Sequence, residues 1–126
     1  IEHACLKTIA AFLNSDGGTL LIGVDDGGEP TSFMQYDQFG NPDKAMLHLT
    51  NIVKQRIGTS SVRFLRMSID AVDEECVMRV DCKPSVVPVY LDYQNDEHFY
   101  VRTGPSTSEL KPSEITEYVQ HQFYDA

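Results

Sequence analysis

The chain has 126 residues, of which 41% are apolar and 23% are charged, a composition typical of one folded domain and not of a disordered segment. Its formal net charge of −9 argues against a general nucleic-acid coat protein, because Lys and Arg contacts to phosphate supply most non-specific affinity. No apolar run approaches the roughly 20 residues of a membrane helix, so we expect no membrane partner.

Apolar residues recur at helical spacing from Ile1 to Leu13 and predict an amphipathic helix, which Asn14 and the following glycines end. Ile1 opens inside this pattern without a preceding cap, so we expect an upstream segment of the domain. The continuous run Thr19–Val24 predicts a strand covered on both faces, followed by a turn at 25–28. A second helix begins at Pro42 and ends at Gly58, with an apolar face formed by Met46, Leu49, Ile52, Val53 and Ile57.

The remaining chain alternates apolar and polar residues in short segments. Residues 65–71 and 76–83 predict a hairpin in which Ala71 pairs with Cys76 and Arg66 lies opposite Asp81. Residues 89–93 and 98–103 predict a second hairpin, and residues 112–123 a final helix. Antiparallel hairpins and separated helices favour an α+β fold, with a mixed, largely antiparallel sheet flanked by helices, over residues 1–126 as one domain.

The three cysteines are an odd set, and they indicate the compartment. Cys76 and Cys82 lie six residues apart on one predicted strand, about 20 Å, which is too far for a disulfide. Together with Cys5, and without a recognisable signal peptide, they predict free thiols in the cytoplasm.

Several motifs with known chemistry are missing from the sequence. There is no GxxxxGK[ST], no GxGxxG, no HExxH, no CxxC pair and no GxSxG. These absences argue against a P-loop, a dinucleotide site, a zinc site and a nucleophile elbow.

Two glycine-rich turns are candidate sites. Gly17 and Gly18 supply backbone freedom, either to turn the chain after the first helix or to admit a ligand. Asp25 and Asp26 end the first strand, where two carboxylates can hold Mg²⁺ or simply form a turn.

Arg102 and the hydroxyl-rich loop after it form the third candidate site. The loop offers hydroxyls and flexible backbone N–H groups beside the guanidinium, from Thr103, Gly104, Ser106 and Thr107. This combination of groups can bind a phosphate or another oxyanion. Lys111 adds a positive charge. Alternatively, Arg102 pairs with a carboxylate at the edge of the core, for example one in the turn at 25–26, and the Ser and Thr residues only shape the loop. We expect this loop and the aspartate turn to lie together in space.

Two segments, Ala10–Gly28 and Phe99–Thr107, carry a family resemblance. They match a helix ending in AF-N-x-x-GG, a strand ending in IGV-D-D-x-G, and a strand ending in Y-x-R-x-G-x-S/T. The chain therefore resembles the Schlafen AlbA_2 domain family, also called divergent AAA-4. The resemblance implies a helix-flanked mixed sheet related to the Alba fold. It also implies a nucleic-acid-binding domain, often found at the N-terminus of predicted transcriptional regulators.

The animal Schlafen branch cleaves structured RNA with three acidic residues and a divalent metal. Two of those acids lie well upstream of the AF-N-x-x-GG helix, and Glu2 is too close to the glycines to match either of them. The third acid matches Asp25 or Asp26. The resemblance thus implies a metal site of which this chain carries only one part.

Three hypotheses remain open at this point. The first is a nucleic-acid-binding regulatory domain of a larger protein that has other domains. The second is a protein-interaction or homodimerisation module, which the acidic balance suits. The third is a metal-dependent RNA endonuclease, with Mg²⁺ as its cofactor. The incomplete acidic set favours a binding domain without a cofactor over a complete enzyme.

Overall fold

Three helices and seven strands make up the described part of the chain, which in this computed structural model comprises residues 2–23, 42–72 and 75–125. In chain order these elements are α1 (Glu2–Leu13), β1 (Gly18–Ile22), α2 (Pro42–Arg56), β2 (Leu65–Val72), β3 (Glu75–Cys82), β4 (Leu91–Tyr93), β5 (Asp96–His98), β6 (Tyr100–Thr103), β7 (Ser106–Glu109) and α3 (Pro112–Val119). A 3-10 helix covers Thr59–Phe64, and a π-helical turn, Gln120–Tyr124, extends α3. None of the helices in these ranges has the length and apolar character that crossing a bilayer requires.

The main sheet has the strand order β1-β3-β2, and both of its strand pairs are antiparallel. The predicted hairpin register is confirmed, because Arg66 lies opposite Asp81 and Ala71 opposite Cys76. That register places Met78 and Val80 on the buried face, whereas a slip by one residue would expose them. The predicted α+β fold class is also confirmed.

The prediction that β1 is covered on both faces is wrong. Leu21 is 51% exposed, while Ile22 beside it is buried. β1 pairs only with β3 among the described strands, so its outward face carries Thr19 and Leu21 next to the charged side chains of β3. A continuous apolar run cannot distinguish a strand with one covered face from a strand with two.

Two further hairpins follow the main sheet. β4 pairs with β5 around a two-residue turn, Gln94 and Asn95. The predicted single strand 98–103 is therefore wrong in its bounds, because it divides into the end of β5 and β6, and β6 pairs with β7. The loop predicted after Arg102 is instead the β6–β7 hairpin, in which Arg102 pairs with Thr107 and Thr103 with Ser106. Gly104 has a φ of +62°, as the first central position of a two-residue type II′ turn requires.

The hydrophobic core lies between α1, α2 and the inner face of the main sheet. Its largest buried members come from α1, α2, β3 and the segment around β4: Leu6, Ile9, Leu13, Leu49, Val53, Met78, Val80, Val89 and Leu91. The inward residues of α1 and α2 recur three or four positions apart, and this spacing makes both helices amphipathic. In contrast, α3 has no fully buried residue. The ring of Tyr118 packs edge-on against Phe99, and hydrogen bonds from Tyr118 and from Gln122 in the π-helical turn join this segment to the end of α1.

Candidate functional site

The end of α1 is joined to the C-terminal hairpins by a fully buried asparagine. The side-chain amide of Asn14 donates to the carbonyl oxygens of Val89 at 2.8 Å and of Tyr100 at 3.0 Å. Its amide oxygen accepts from the N–H of Val89 at 2.9 Å. One side chain therefore satisfies three backbone groups that would otherwise be buried without partners.

Ser15, the next residue, connects the end of α1 to strand β6 and to helix α3. Its buried hydroxyl accepts from the N–H of Arg102 at 3.0 Å and lies 3.3 Å from the hydroxyl of Tyr118. The Tyr118 hydroxyl donates to the carbonyl of Asn14 at 2.5 Å, so Ser15 is the donor in the contact between the two hydroxyls. Gln122 also donates to the carbonyl of Ser15, at 3.1 Å. Neither Ser15 nor Tyr118 carries a sequence signal that predicts these contacts, which join residues more than 80 positions apart.

Gly17 and Gly18 fill positions where a side chain would collide with neighbours. Gly17 has a φ of +79°, and a Cβ there would lie 2.5 Å from the carbonyl oxygen of Cys82. A Cβ on Gly18 would lie 2.5 Å from the ring of Phe12. Packing therefore accounts for both glycines, and ligand contact at either one stays a prediction.

Arg102 is held in place by both its main chain and its side chain. The guanidinium carbon lies 4.9 Å from the centroid of the Phe12 ring, and Nη1 donates to Thr107 at 2.9 Å. Phe12 thus contacts both Gly18 and Arg102, so the glycine turn and the arginine do lie together. None of the ion pairs among the described residues includes Arg102.

The other predicted members of the phosphate site are arranged around the β6–β7 hairpin. Thr103 and Ser108 share a hydrogen bond of 2.8 Å across the two strands, and Ser106 is exposed beside the turn. Gly104 faces open space. Lys111 follows the far end of β7, four residues beyond Thr107 and therefore about 13 Å along an extended chain. The hairpin brings Thr107 to Arg102, whereas Thr103, Ser106 and Ser108 lie on its opposite face because successive strand side chains alternate. Lys111 stays at a distance from Arg102.

The predicted metal site consists of the two aspartates that follow β1 in the sequence. Asp25 and Asp26 lie outside the described residues, and so does their predicted approach to the Arg102 hairpin. Within the described ranges, no group of three or more His, Cys, Asp or Glu side chains is arranged to hold a metal ion. Cys82 does not offer a thiolate, since burial raises its pKa to about 12.

Two ionisable groups near these elements have shifted pKa values. His98 Nδ1 lies 2.8 Å from a carboxylate oxygen of Glu109, and this hydrogen bond raises the pKa of His98. On the exposed face of the main sheet, Asp81 accepts from Thr19 at 2.7 Å and from Arg79 at 3.1 Å. Those two hydrogen bonds lower the pKa of Asp81. The sheet face therefore consists of mutually compensating charges.

Comparison with solved structures supports the same architecture. The crystal structure of the DIP2311 protein from Corynebacterium diphtheriae is similar to this chain with a TM-score of 0.65 and 17% sequence identity. The similarity covers 96% of this chain and 19% of that chain. At this identity the likeness shows the fold alone, and the chain spans about a fifth of that neighbour. No curated protein matches the chain.

The family comparison covers most of the chain. The model of the family described as "Schlafen, AlbA_2" matches residues 2–111, from the first turn of α1 to the residue before α3. This range includes the Asn14 junction, the glycine pair and the whole β6–β7 hairpin. The chain belongs to the Schlafen AlbA_2 family.

Proposed function

We propose that this domain binds nucleic acid through its phosphate backbone, as a regulatory module of a larger cytoplasmic protein. The observation that carries the proposal is the fixed guanidinium of Arg102, which is stacked on Phe12 and hydrogen-bonded to Thr107. A guanidinium has five N–H donors, and the bond to Thr107 uses one of them. The remaining donors suit the bidentate geometry of a phosphate group.

Preorganisation makes one arginine more effective than its charge alone suggests. Ordering a long side chain on binding costs about 0.5–1.5 kcal/mol, and the contacts with Phe12 and Thr107 reduce that cost for Arg102. The main-chain bond to Ser15 also fixes the strand from which the side chain projects. Thr107 lies on the same face of the hairpin as Arg102, and the backbone at Gly104, two residues along the chain, borders open space and is accessible to phosphate oxygens.

The acidic balance of the chain limits the kind of binding that we expect. A net charge of −9 repels a polyanion, so affinity must come from a few placed contacts and not from a broad basic surface. We therefore expect modest affinity with a shallow salt dependence. A binding module within a longer chain would gain further affinity from the other domains of that protein.

The test measures the anisotropy of fluorescein-labelled RNA and DNA against protein concentration at several salt concentrations. Arg102→Gln is expected to weaken binding about 10-fold or more, because a charge-assisted hydrogen bond contributes about 1.5–3 kcal/mol. The salt slope should fall by about 0.7 for a single strand or 0.9 for a duplex, the loss of one phosphate contact.

Arg79→Gln is the matched control, since it removes the same charge from an arginine that is already paired with Asp81 on the exposed sheet face. That variant should bind nearly as the unmodified protein does. The proposal fails if the unmodified protein binds neither nucleic acid at low salt, or if the two variants lose the same affinity.

A second candidate function is pairing of two copies through the exposed face of the main sheet. Leu21 is half-exposed there, and Arg66 and Arg79 lie among Asp70 and Asp81, so two facing copies can pair opposite charges. Light scattering should then show a dimer that Leu21→Ser dissociates. A strict monomer at high protein concentration would end this alternative.

A further inference from the structure

A cluster of aromatic rings and cations lies at the N-terminal end of α1, away from Arg102. The ring of His3 stacks on Tyr93 with a centroid separation of 3.6 Å and an interplanar angle of 20°. The guanidinium carbon of Arg56, in the last turn of α2, lies 5.8 Å from the Tyr93 centroid. Burial and the charges of Lys7 and Arg56 lower the pKa of His3.

Beside this cluster the β4–β5 hairpin and α2 form a groove of about 520 Å³. Its lining residues are Gln55, Arg56, Asp92, Tyr93, Gln94 and Asn95. Gln94 and Asn95 have φ angles of 54° and 68°, the left-handed pair of a type I′ turn. A non-glycine residue is uncommon in this conformation, and here two successive ones carry amide side chains at the groove.

The lining has the chemistry that recognises an unpaired nucleotide. It combines an aromatic ring, a guanidinium, three side-chain amides and one carboxylate. Aromatic rings stack on bases, and amides both donate to and accept from their Watson–Crick edges. A guanidinium holds a phosphate, while a carboxylate accepts from an exocyclic amino group or a ribose hydroxyl. The size of the groove is within the usual range for small-ligand sites.

We infer that this groove binds an unpaired nucleotide, with the base against Tyr93 and the phosphate at Arg56. Resting on the proposed function, we further infer that a single strand occupies the groove and the Arg102 site together. The ring of Tyr93 lies 6.5 Å from His98, and His98 lies 6.1 Å from Tyr100. Arg102 follows Tyr100 by two strand residues, about 6.6 Å.

His3, which stacks on Tyr93, and Phe12, which contacts Arg102, are nine residues apart on α1, about 14 Å along the helix axis. The two sites are therefore on the order of 14–20 Å apart, which about five or six stacked nucleotides span at 3.4 Å each. Lys7 lies between them, 5.7 Å from the centroid of the Tyr100 ring, and adds a cation along the path. A duplex cannot present an unpaired base to the groove. The inference therefore assigns single strands, and not duplexes, as the preferred substrate class.

The experiment titrates the full chain with labelled single strands of twelve nucleotides, with the corresponding duplex, and with the mononucleotides AMP and UMP. Binding of the mononucleotides is followed by NMR chemical shifts. Tyr93→Ala should weaken single-strand binding about 5- to 150-fold, the loss of one base–aromatic stack, while Tyr93→Phe loses less because it keeps the ring. Arg56→Gln, at an exposed position, should weaken it about 10-fold without affecting the fold. Arg79→Gln is again the charge-matched control.

The outcomes separate the two proposals. If Arg102→Gln weakens single-strand binding but Tyr93→Ala and Arg56→Gln do not, the groove inference is overturned and the proposed function stands. If mononucleotides bind in a Tyr93-dependent way but no oligonucleotide binds, the groove takes free nucleotides, and both the proposed function and the joint single-strand track are refuted. If neither mononucleotides nor oligonucleotides bind, both proposals are wrong. Equal affinity for single strand and duplex also overturns the track.

Discussion

Replacing Asn14 with alanine removes the side chain that joins α1 to the segments around Val89 and Tyr100. Three hydrogen bonds of 2.8 to 3.0 Å are lost, and each contributes about 0.5–1.5 kcal/mol net. The N–H of Val89 and the carbonyls of Val89 and Tyr100 then stay buried without that partner, which costs more than the loss of the bonds alone. We expect Asn14→Ala to lower the free energy of unfolding by about 3–5 kcal/mol, a large part of the roughly 5–15 kcal/mol typical of a domain.

Urea unfolding followed by circular dichroism measures this loss as a lower midpoint with an unchanged m-value. Asn51→Ala is the control, because Asn51 is an exposed asparagine on α2, and it should change stability by no more than about 0.5 kcal/mol. Asn14→Asp keeps the volume of the side chain but removes its N–H donors, so it tests the hydrogen bonds apart from the packing. It keeps the acceptor for Val89 but sets a carboxylate against two carbonyls, so it should be at least as destabilising as alanine. A loss below about 1 kcal/mol for Asn14→Ala would refute the argument.

Two other perturbations have defined outcomes. Gly17→Ala should destabilise the domain by more than about 2 kcal/mol, because it combines a positive φ with a Cβ 2.5 Å from the Cys82 carbonyl oxygen. Gly104 also has a positive φ but has open space around it, so Gly104→Ala should cost only about 1 kcal/mol. Equal losses of stability in urea unfolding would contradict the packing argument. His98, whose pKa is raised by Glu109, should stabilise the fold fully below pH 6.5 and lose this contribution as the pH rises through its folded pKa. Because Glu109 is half-exposed, the contribution should stay below about 1 kcal/mol. An NMR titration should show a lower pKa for His98 in Glu109→Gln than in the unmodified protein.

The elements that periodicity specifies were predicted well. The three helices and the β2–β3 register follow from apolar residues that recur every three to four or every two positions. A shift of the register by one residue would expose Met78 and Val80 to solvent, so their burial determines the pairing of β2 with β3. The β4–β5 turn was also expected, and the structure shortens it to two residues.

The errors occurred where no periodic signal exists. Strand β7 reads Ser-Thr-Ser-Glu, with no apolar alternation, so its pairing with β6 depends on the turn at Gly104 and on contacts such as Arg102 with Thr107. The partners of Asn14 lie 75 and 86 residues away along the chain. A short polar residue at a helix end predicts a cap or a stop, and nothing in local spacing indicates long-range partners.

The family motif contains residues that the fold requires and one side chain, that of Arg102, which makes few structural contacts. Asn14, Gly17 and Gly18 are accounted for by buried hydrogen bonds and close packing. At Arg102 the two roles separate, because its main-chain N–H bonds to Ser15 while its guanidinium carries the contacts with Phe12 and Thr107. A substitution at this position keeps the main-chain bond, so stability and ligand binding should respond differently. Most residues of the motif therefore build the structure around the candidate phosphate site. The side chain of Arg102 is the part of the motif that can contact a ligand directly.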